Sequence, residues 1–180
     1  MEYPTSLDNI ILTEFRDADG PSIADYLGHD QEIHQNLREL PYPYTLEHAQ
    51  FFIRWSRELE EQYGHPINFA IREKDSGVCV GSCGFDHHDL GSSTGGEVGL
   101  GYWIGKKYWG KGIGTAIVGA LVNLGFKEYG YTKLYAPVFE WNIASQKVLL
   151  KNGFVKEKVL ENYIEKDGKM INAVKLCKTI

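Results

Sequence analysis

The segment from Gly95 to Ala116 reads GGEVGLGYWIGKKYWGKGIGTA and holds eight of the chain's 20 glycines. Average usage would give a chain of 180 residues about 13 glycines in all, so the surplus is local. Glu97 to Ile104 reads as a strand. Ile113, Ile117, Ala120, Leu121 and Leu124 recur at helical spacing. A strand therefore runs through a glycine-rich turn into a helix. Glycine lets backbone approach a ligand closely, and the amides at a helix start, with the helix dipole, favour phosphate. The segment implies an α/β arrangement and a phosphate-bearing ligand. A tight turn that binds nothing is the plain alternative.

Two familiar phosphate loops fit poorly. Gly105 to Gly112 nearly matches G-x-x-x-x-G-K-[ST], but Gly112 stands where a hydroxyl would hold Mg²⁺. The dinucleotide fingerprint G-x-G-x-x-G has Thr115 at its third glycine.

The rest of the chain supplies a mixed set of elements. Ile10 to Phe15 reads as a strand, Pro21 to Leu27 as a short helix and Asp30 to Tyr44 as an irregular connection. Thr45 caps a helix from Leu46 to Tyr63, with Phe52, Trp55, Leu59 and Tyr63 on one face. Ile67 to Ile71 and Val78 to Phe85 form a hairpin, followed by a glycine-rich loop from Asp86 to Gly96. After the central segment come a strand (Lys133 to Val138), a helix (Asn142 to Lys151) closed by Asn152-Gly153, and two strands. Those strands, Phe154 to Ile164 and Met170 to Lys178, are joined at Asp167-Gly168. This order predicts one α/β (α+β) domain. Its sheet is mixed and mostly antiparallel, with about seven strands and helices on both faces.

Composition narrows the function. With 43% hydrophobic and 24% charged residues the chain is an ordinary globular sequence. A net charge of −5 and no basic run argue against nucleic acid as the partner. Three cysteines are too few, and odd in number, for a disulfide framework, so a reducing, cytoplasmic setting is expected. The N-terminus lacks a signal-peptide pattern, and no apolar stretch reaches the ~20 residues of a membrane span. Cys79-x-x-x-Cys83 with His87-His88 suggests zinc, but four strand residues span ~13 Å and two sulfurs cannot then share one ion. No metal is expected.

The run Trp109-Gly110-Lys111-Gly112-Ile113-Gly114-Thr115-Ala116 resembles the acetyl-CoA loop of the GNAT superfamily of N-acetyltransferases. Gly101-Tyr102-Trp103-Ile104-Gly105, Asn142-Ile143-Ala144-Ser145 and Asn152-Gly153-Phe154 are similar to signatures of its RimJ/RimL-like branch. The resemblance implies the GNAT (acyl-CoA N-acyltransferase) fold, splayed between the fourth and fifth of the expected strands, and acetyl-CoA as cofactor. It implies that the backbone amides of Lys111, Gly112, Ile113, Gly114 and Thr115 cradle the CoA pyrophosphate, with Trp109 and Gly110 also binding the cofactor. It also implies that Tyr102, Trp103 and Ile104 pair with the pantetheine arm by strand addition, and that Asn142 and Ser145 line the cofactor cleft.

For catalysis, a backbone amide near Tyr102 is the expected oxyanion donor. Glu97 is the first base candidate, although branch members often carry the acid where Gly99 stands here. Glu140 is the runner-up, ahead of Asp86 and His87. Much of the superfamily places a tyrosine acid where this chain has Leu149, which leaves Ser145 for that role. Tyr42 and Tyr44 are candidate acceptor contacts. The expected reaction is direct acetyl transfer to a primary amine, either a protein N-terminus or a polyamine or other small amine. The rival reading is an acyl-CoA sensor that binds without turnover. A monomer or a homodimer fits equally.

Overall fold

In a computed structural model of the chain, residues 1–38, 40–90 and 96–180 are described. Residues 91–95 of the expected loop from Asp86 to Gly96, Gly95 among them, lie outside the described residues. The elements in chain order are β1 (Glu2–Pro4), β2 (Ile10–Thr13), α1 (Gly20–His29), α2 (Gln31–Asn36) and α3 (Leu46–Tyr63). They continue with β3 (Asn68–Glu73), β4 (Cys79–Phe85), β5 (Glu97–Ile104), α4 (Ile113–Asn123) and β6 (Lys133–Phe139). The chain closes with α5 (Ile143–Lys151), β7 (Val155–Lys166) and β8 (Lys169–Thr179).

The strands form one eight-stranded sheet in the order β1-β2-β3-β4-β5-β6-β8-β7. Every neighbouring pair is antiparallel except β5 with β6. The mixed, mostly antiparallel sheet is as expected, with one strand more. The extra edge strand β1 has only three residues and carries no alternation to reveal it.

Hydrophobic clusters on the two faces divide the helices. Ile23, Leu27, Ile33, Ala49 and Ile53 of α1, α2 and α3 pack with Ala70 and Cys79. Ile113, Ile117, Leu121 and Leu149 of α4 and α5 pack with Val98, Leu100, Ile104, Leu134 and Leu176. Burying side chains of this size contributes about 1.5–3 kcal/mol each.

Three differences from expectation have local causes. The connection after α1 contains α2, because the Asp30 carboxylate accepts from the Glu32 and Ile33 amides and starts a helical turn. The buried stripe of α3 is Ala49, Ile53, Ser56 and Leu59. Small residues on that stripe let the helix approach its neighbours, and Phe52 and Trp55 flank it half-buried. A register shift beside Ile71/Arg72 pairs Arg72 with Cys79 and Ile71 with Gly81. This bulge reverses the alternation, so Cys79 enters one core and Cys83 the other. No described helix is long and apolar enough to cross a membrane.

Candidate active site

The site is created where the sheet fails to close. β5 and β6 are paired only at Glu97↔Lys133, Val98↔Leu134 and Gly99↔Tyr135. From Leu100 onward β5 stays with β4, while Ala136 to Phe139 stay with β8. Two parallel strands thus part after Gly99 and Tyr135 and leave a wedge that opens toward their C-terminal ends.

Which main-chain groups face the wedge follows from the alternation of antiparallel pairing. The Gly99 carbonyl accepts from the Asp86 amide at 2.8 Å, and the Gly105 amide donates to the Val80 carbonyl at 2.8 Å. Odd-numbered residues of β5 therefore turn their N–H and C=O toward β4. Leu100, Tyr102 and Ile104 turn theirs into the wedge. Of the three residues expected to pair with an incoming arm, Tyr102 and Ile104 have the required orientation. Trp103 does not: it is paired with Ser82 of β4, and its ring lies 6.2 Å from that of Tyr26 on the α1 side.

The glycine-rich turn stands at the wide end of the wedge. Gly110 and Gly112 have φ of +74° and +79°, a region that disfavours any side chain. Nothing lies within 4 Å of a Cβ built on either, so the space above them is open. Gly112 caps α4 without a side-chain bond, and the first intrahelical donor is the Ala116 amide, to the Gly112 carbonyl. The amides of Gly112, Ile113, Gly114 and Thr115 consequently have no acceptor within the helix. Trp109 braces the turn by donating its indole N–H to the Ile104 carbonyl at 2.7 Å. Lys111 lies 5.2 Å from the Tyr108 ring. Four open amides at the positive end of a helix fit a pyrophosphate.

On the wedge's inner face, the Tyr102 hydroxyl and Ser145 Oγ are 2.9 Å apart. Ser145 is held in place by the start of α5, where Asn142 caps the helix by accepting the Ser145 amide at 3.1 Å. Burial pushes the Tyr102 phenol up to about 12, against a smaller downward effect of Ser145. Leu149 is fully buried in the core. The Tyr102 hydroxyl of β5 stands beside Ser145, a side-chain placement the sequence does not reveal.

Glu97 sits elsewhere, at the closed end of the wedge. Its Oε1 is 2.7 Å from Lys175 Nζ and 3.3 Å from Lys133 Nζ, and both lysines also reach Glu157. The Lys175 hydrogen bond, with Lys133 adding to it, holds the Glu97 carboxyl below the usual carboxylate range. These ion pairs tie Glu97 of β5 to Lys133 of β6 and Lys175 of β8. A depressed folded pKa stabilises above the ordinary carboxylate range, and that contribution is lost as pH falls through the folded value. Glu97→Gln is therefore expected to melt about 2–4 °C below the parent at pH 7, for a loss of about 1 kcal/mol. The gap should close progressively from pH 4 downward in melting curves.

The space over Gly99 is filled by other groups. A Cβ there would meet Asp86 Cβ, Asp89 Oδ2 and Tyr135 Cζ, each at 3.2 Å. Asp89 Oδ2 accepts from the Gly99 amide at 2.8 Å and from the Tyr135 hydroxyl at 2.9 Å. By contrast, a Cβ on Gly101 would meet nothing within 4 Å. Glu140 is exposed at the end of β6. Tyr44 is buried in the α1–α3 core, so it offers no acceptor contact, while Tyr42 is exposed with its ring 4.7 Å from His34.

Comparison with known proteins agrees with this geometry. The model of the acetyltransferase (GNAT) domain family matches residues 9–155. YoaA of Bacillus subtilis (strain 168), named as an uncharacterized N-acetyltransferase, is 29% identical over 163 residues, 89% of this chain and 88% of that protein. The ribosomal-protein-S5-alanine acetyltransferase of Vibrio fischeri has the same fold with a TM-score of 0.85 at 19% identity, covering 99% of this chain and 96% of that one. Mycobacterium smegmatis RimJ, solved in complex with CoA-disulfide, gives a TM-score of 0.82 at 20% identity over 99% and 86%. With most of its length matched by the family model, the chain belongs to the GNAT acetyltransferase family, an acyltransferase family that uses acetyl-CoA.

Proposed function

We propose that this protein transfers an acetyl group from acetyl-CoA to a primary amine by direct attack within a ternary complex. The wedge between β5 and β6, with open helix-start amides at its mouth, is the observation that carries the reading. Bound acetyl-CoA supplies an activated thioester carbonyl. The amides of Gly112 to Thr115 hold its pyrophosphate, and Lys111 adds positive charge. The main-chain groups of Tyr102 and the amide of Ile104, whose carbonyl is taken by the Trp109 indole, pair with the pantetheine arm as an added strand would. The Tyr102 or Leu100 amide donates to the carbonyl oxygen as negative charge develops there.

Tyr102 and Ser145 act together on the leaving sulfur. A phenol raised to about 12 lies roughly 3.5 units above an ordinary thiol near 8.5. Full proton transfer to the thiolate is then uphill by about 5 kcal/mol. The pair therefore serves by donating a hydrogen bond to the sulfur, and the proton arrives from water. Covalent transfer through a cysteine is disfavoured. Burial pushes the Cys79 thiol up to about 12 and raises those of Cys83 and Cys177, so none offers a ready thiolate.

The fold likeness to an acetyltransferase named for ribosomal protein S5 alanine supports a protein N-terminus as the first acceptor to try, ahead of polyamines and other small amines. The test is thiol release from acetyl-CoA with a panel of N-terminal peptides and amines. Release above hydrolysis is expected. Tyr102→Phe and Ser145→Ala should each lower kcat about 10-fold, the double variant little more, with KM for acetyl-CoA within about threefold. CoA binding with no release for any amine would overturn the reading and leave a sensor.

A further inference from the structure

We infer that Asp89, delivered by the loop after β4 into the space left by Gly99, is the group that takes the proton from the acceptor amine. The inference rests on the acetyltransferase reading above. Three observations support it.

The first is position. The arm bound along β5 starts at the α4 turn and runs back toward the point where β5 and β6 rejoin. From Ile104 to Gly99 is five residues, roughly 17 Å of strand, so the arm's reacting end meets the narrow end of the wedge. That end is formed by Gly99 and Tyr135, the last pair before the strands part. Asp89 Oδ2 is bonded to both of them.

The second is access. Gly99, Gly101 and Trp103 share one face of β5 by alternation. Asp89 covers Gly99 on that face and Trp103 packs toward α1, while the space over Gly101 between them is open and Gly101 is exposed. An amine entering over Gly101 arrives beside the Asp89 carboxylate and one strand position from the Leu100 and Tyr102 amides.

The third is fixation. The loop is tied down by the Asp86 amide on the Gly99 carbonyl, by the Asp89 amide on the Asp86 carbonyl, and by the His88 amide on Asp86 Oδ1. The Tyr135 hydroxyl donates to Asp89, and burial together with Asp89 and Asp86 raises that phenol, so it keeps its proton through the working pH range.

The step balances as a proton transfer. The amine reaches the wedge as the free base, having lost one proton to water. As its lone pair bonds the acetyl carbon the nitrogen becomes strongly acidic, one of its N–H bonds breaks and an O–H bond forms on Asp89. Asp89 passes that proton to water and the departing thiolate regains one, for a net release of one proton per turnover.

Several charged and titratable groups among the described residues lie near Asp89. Asp86, His87 and His88 belong to its own loop. Tyr135 comes from β6, with Lys175 of β8 4.3 Å from that ring. Arg38, following α2, lies 3.7 Å from Asp86 and donates to the Tyr163 hydroxyl of β7. Burial and His88 lower the His87 imidazole, which is therefore neutral at pH 7. The Gly99 amide donates to Asp89, which places that carboxylate at the wedge's end.

Asp89→Asn is the test, because an amide oxygen still accepts from Gly99 while its basicity is gone. CoA affinity by calorimetry should stay within threefold of the parent. Binding of the best amine from the panel to the CoA complex should weaken severalfold, and kcat should fall about 100-fold or more. Tyr135→Phe, which leaves the carboxylate, should lose less than 10-fold and keep the parent's pH profile. Asp89→Asn with kcat within threefold and an unchanged profile would overturn the inference, as would an equal loss in Tyr135→Phe. A parent protein that neither binds CoA nor releases thiol would instead sink the acetyltransferase reading itself.

Discussion

Gly112→Val should weaken CoA binding about 100-fold, more than any other single change in the turn. Gly112 has a φ of +79°, where a β-branched residue is strained by about 1–3 kcal/mol. The valine side chain would also stand in the open space above the α4 amides, where the pyrophosphate must approach. Together these amount to about 2.8 kcal/mol of lost binding, since each 1.4 kcal/mol is tenfold. Lys111→Ala, which removes an exposed charge and leaves the backbone intact, should lose only a few-fold. Calorimetric titration of both variants with CoA distinguishes a backbone cradle from a charge patch. If Lys111→Ala loses more than Gly112→Val, the cradle is not the determinant.

The largest effect on stability is expected at Arg72. It is 2% exposed and is among the largest fully buried side chains. Its guanidinium donates to both Asp19 carboxylate oxygens at 2.9 and 2.7 Å, to Thr13 Oγ1 at 3.0 Å and to the Gly77 carbonyl at 2.7 Å. This links β2, β3, the β3–β4 turn and the start of α1, so it seats the α1–α3 layer on the sheet. Arg72→Met leaves a buried Asp19 charge without its partner, at a cost of about 3–5 kcal/mol. For a chain of 180 residues that corresponds to a melting temperature lower by about 10 °C or more. Adding Asp19→Leu should recover most of the loss, because the penalty belongs to the stranded charge. A double variant no more stable than Arg72→Met would show that the packing of Arg72, and not its charge, holds the layer.

The parts of this structure legible in the sequence are those with strong local signals. The bounds of α3 follow from the Thr45 cap, whose hydroxyl accepts the His48 amide. Those of β5 follow from a strand pattern that ends in the glycine turn. The turn announced its own chemistry, because glycines at positive φ and a bare helix start are properties of neighbouring residues.

The parts that were not legible depend on contacts across the sheet. Tyr102 and Ser145 are 43 positions apart and meet only because α5 packs beside the wedge. Parity could have shown that Trp103 turns its main chain away from the wedge, had the direction of even one β5 carbonyl been known. The ion pairs of Glu97 reflect register: it is paired with Lys133, and β8 brings Lys175 alongside. Asp89 reaches Gly99 through a loop whose course the sequence pattern does not encode. In each case the partner of a side chain is set by the fold and not by its neighbours in sequence.

The gap between β5 and β6 is the site proposed here for acetyl-CoA, and a crystal structure of the protein with CoA tests it. Pyrophosphate oxygens are expected on the amides of Gly112 to Thr115, with a pantetheine arm hydrogen-bonded to Tyr102 and Ile104 and the sulfur facing the Tyr102 hydroxyl with Asp89 beyond it. CoA bound elsewhere, with β5 and β6 unoccupied between Leu100 and Ile104, would contradict it.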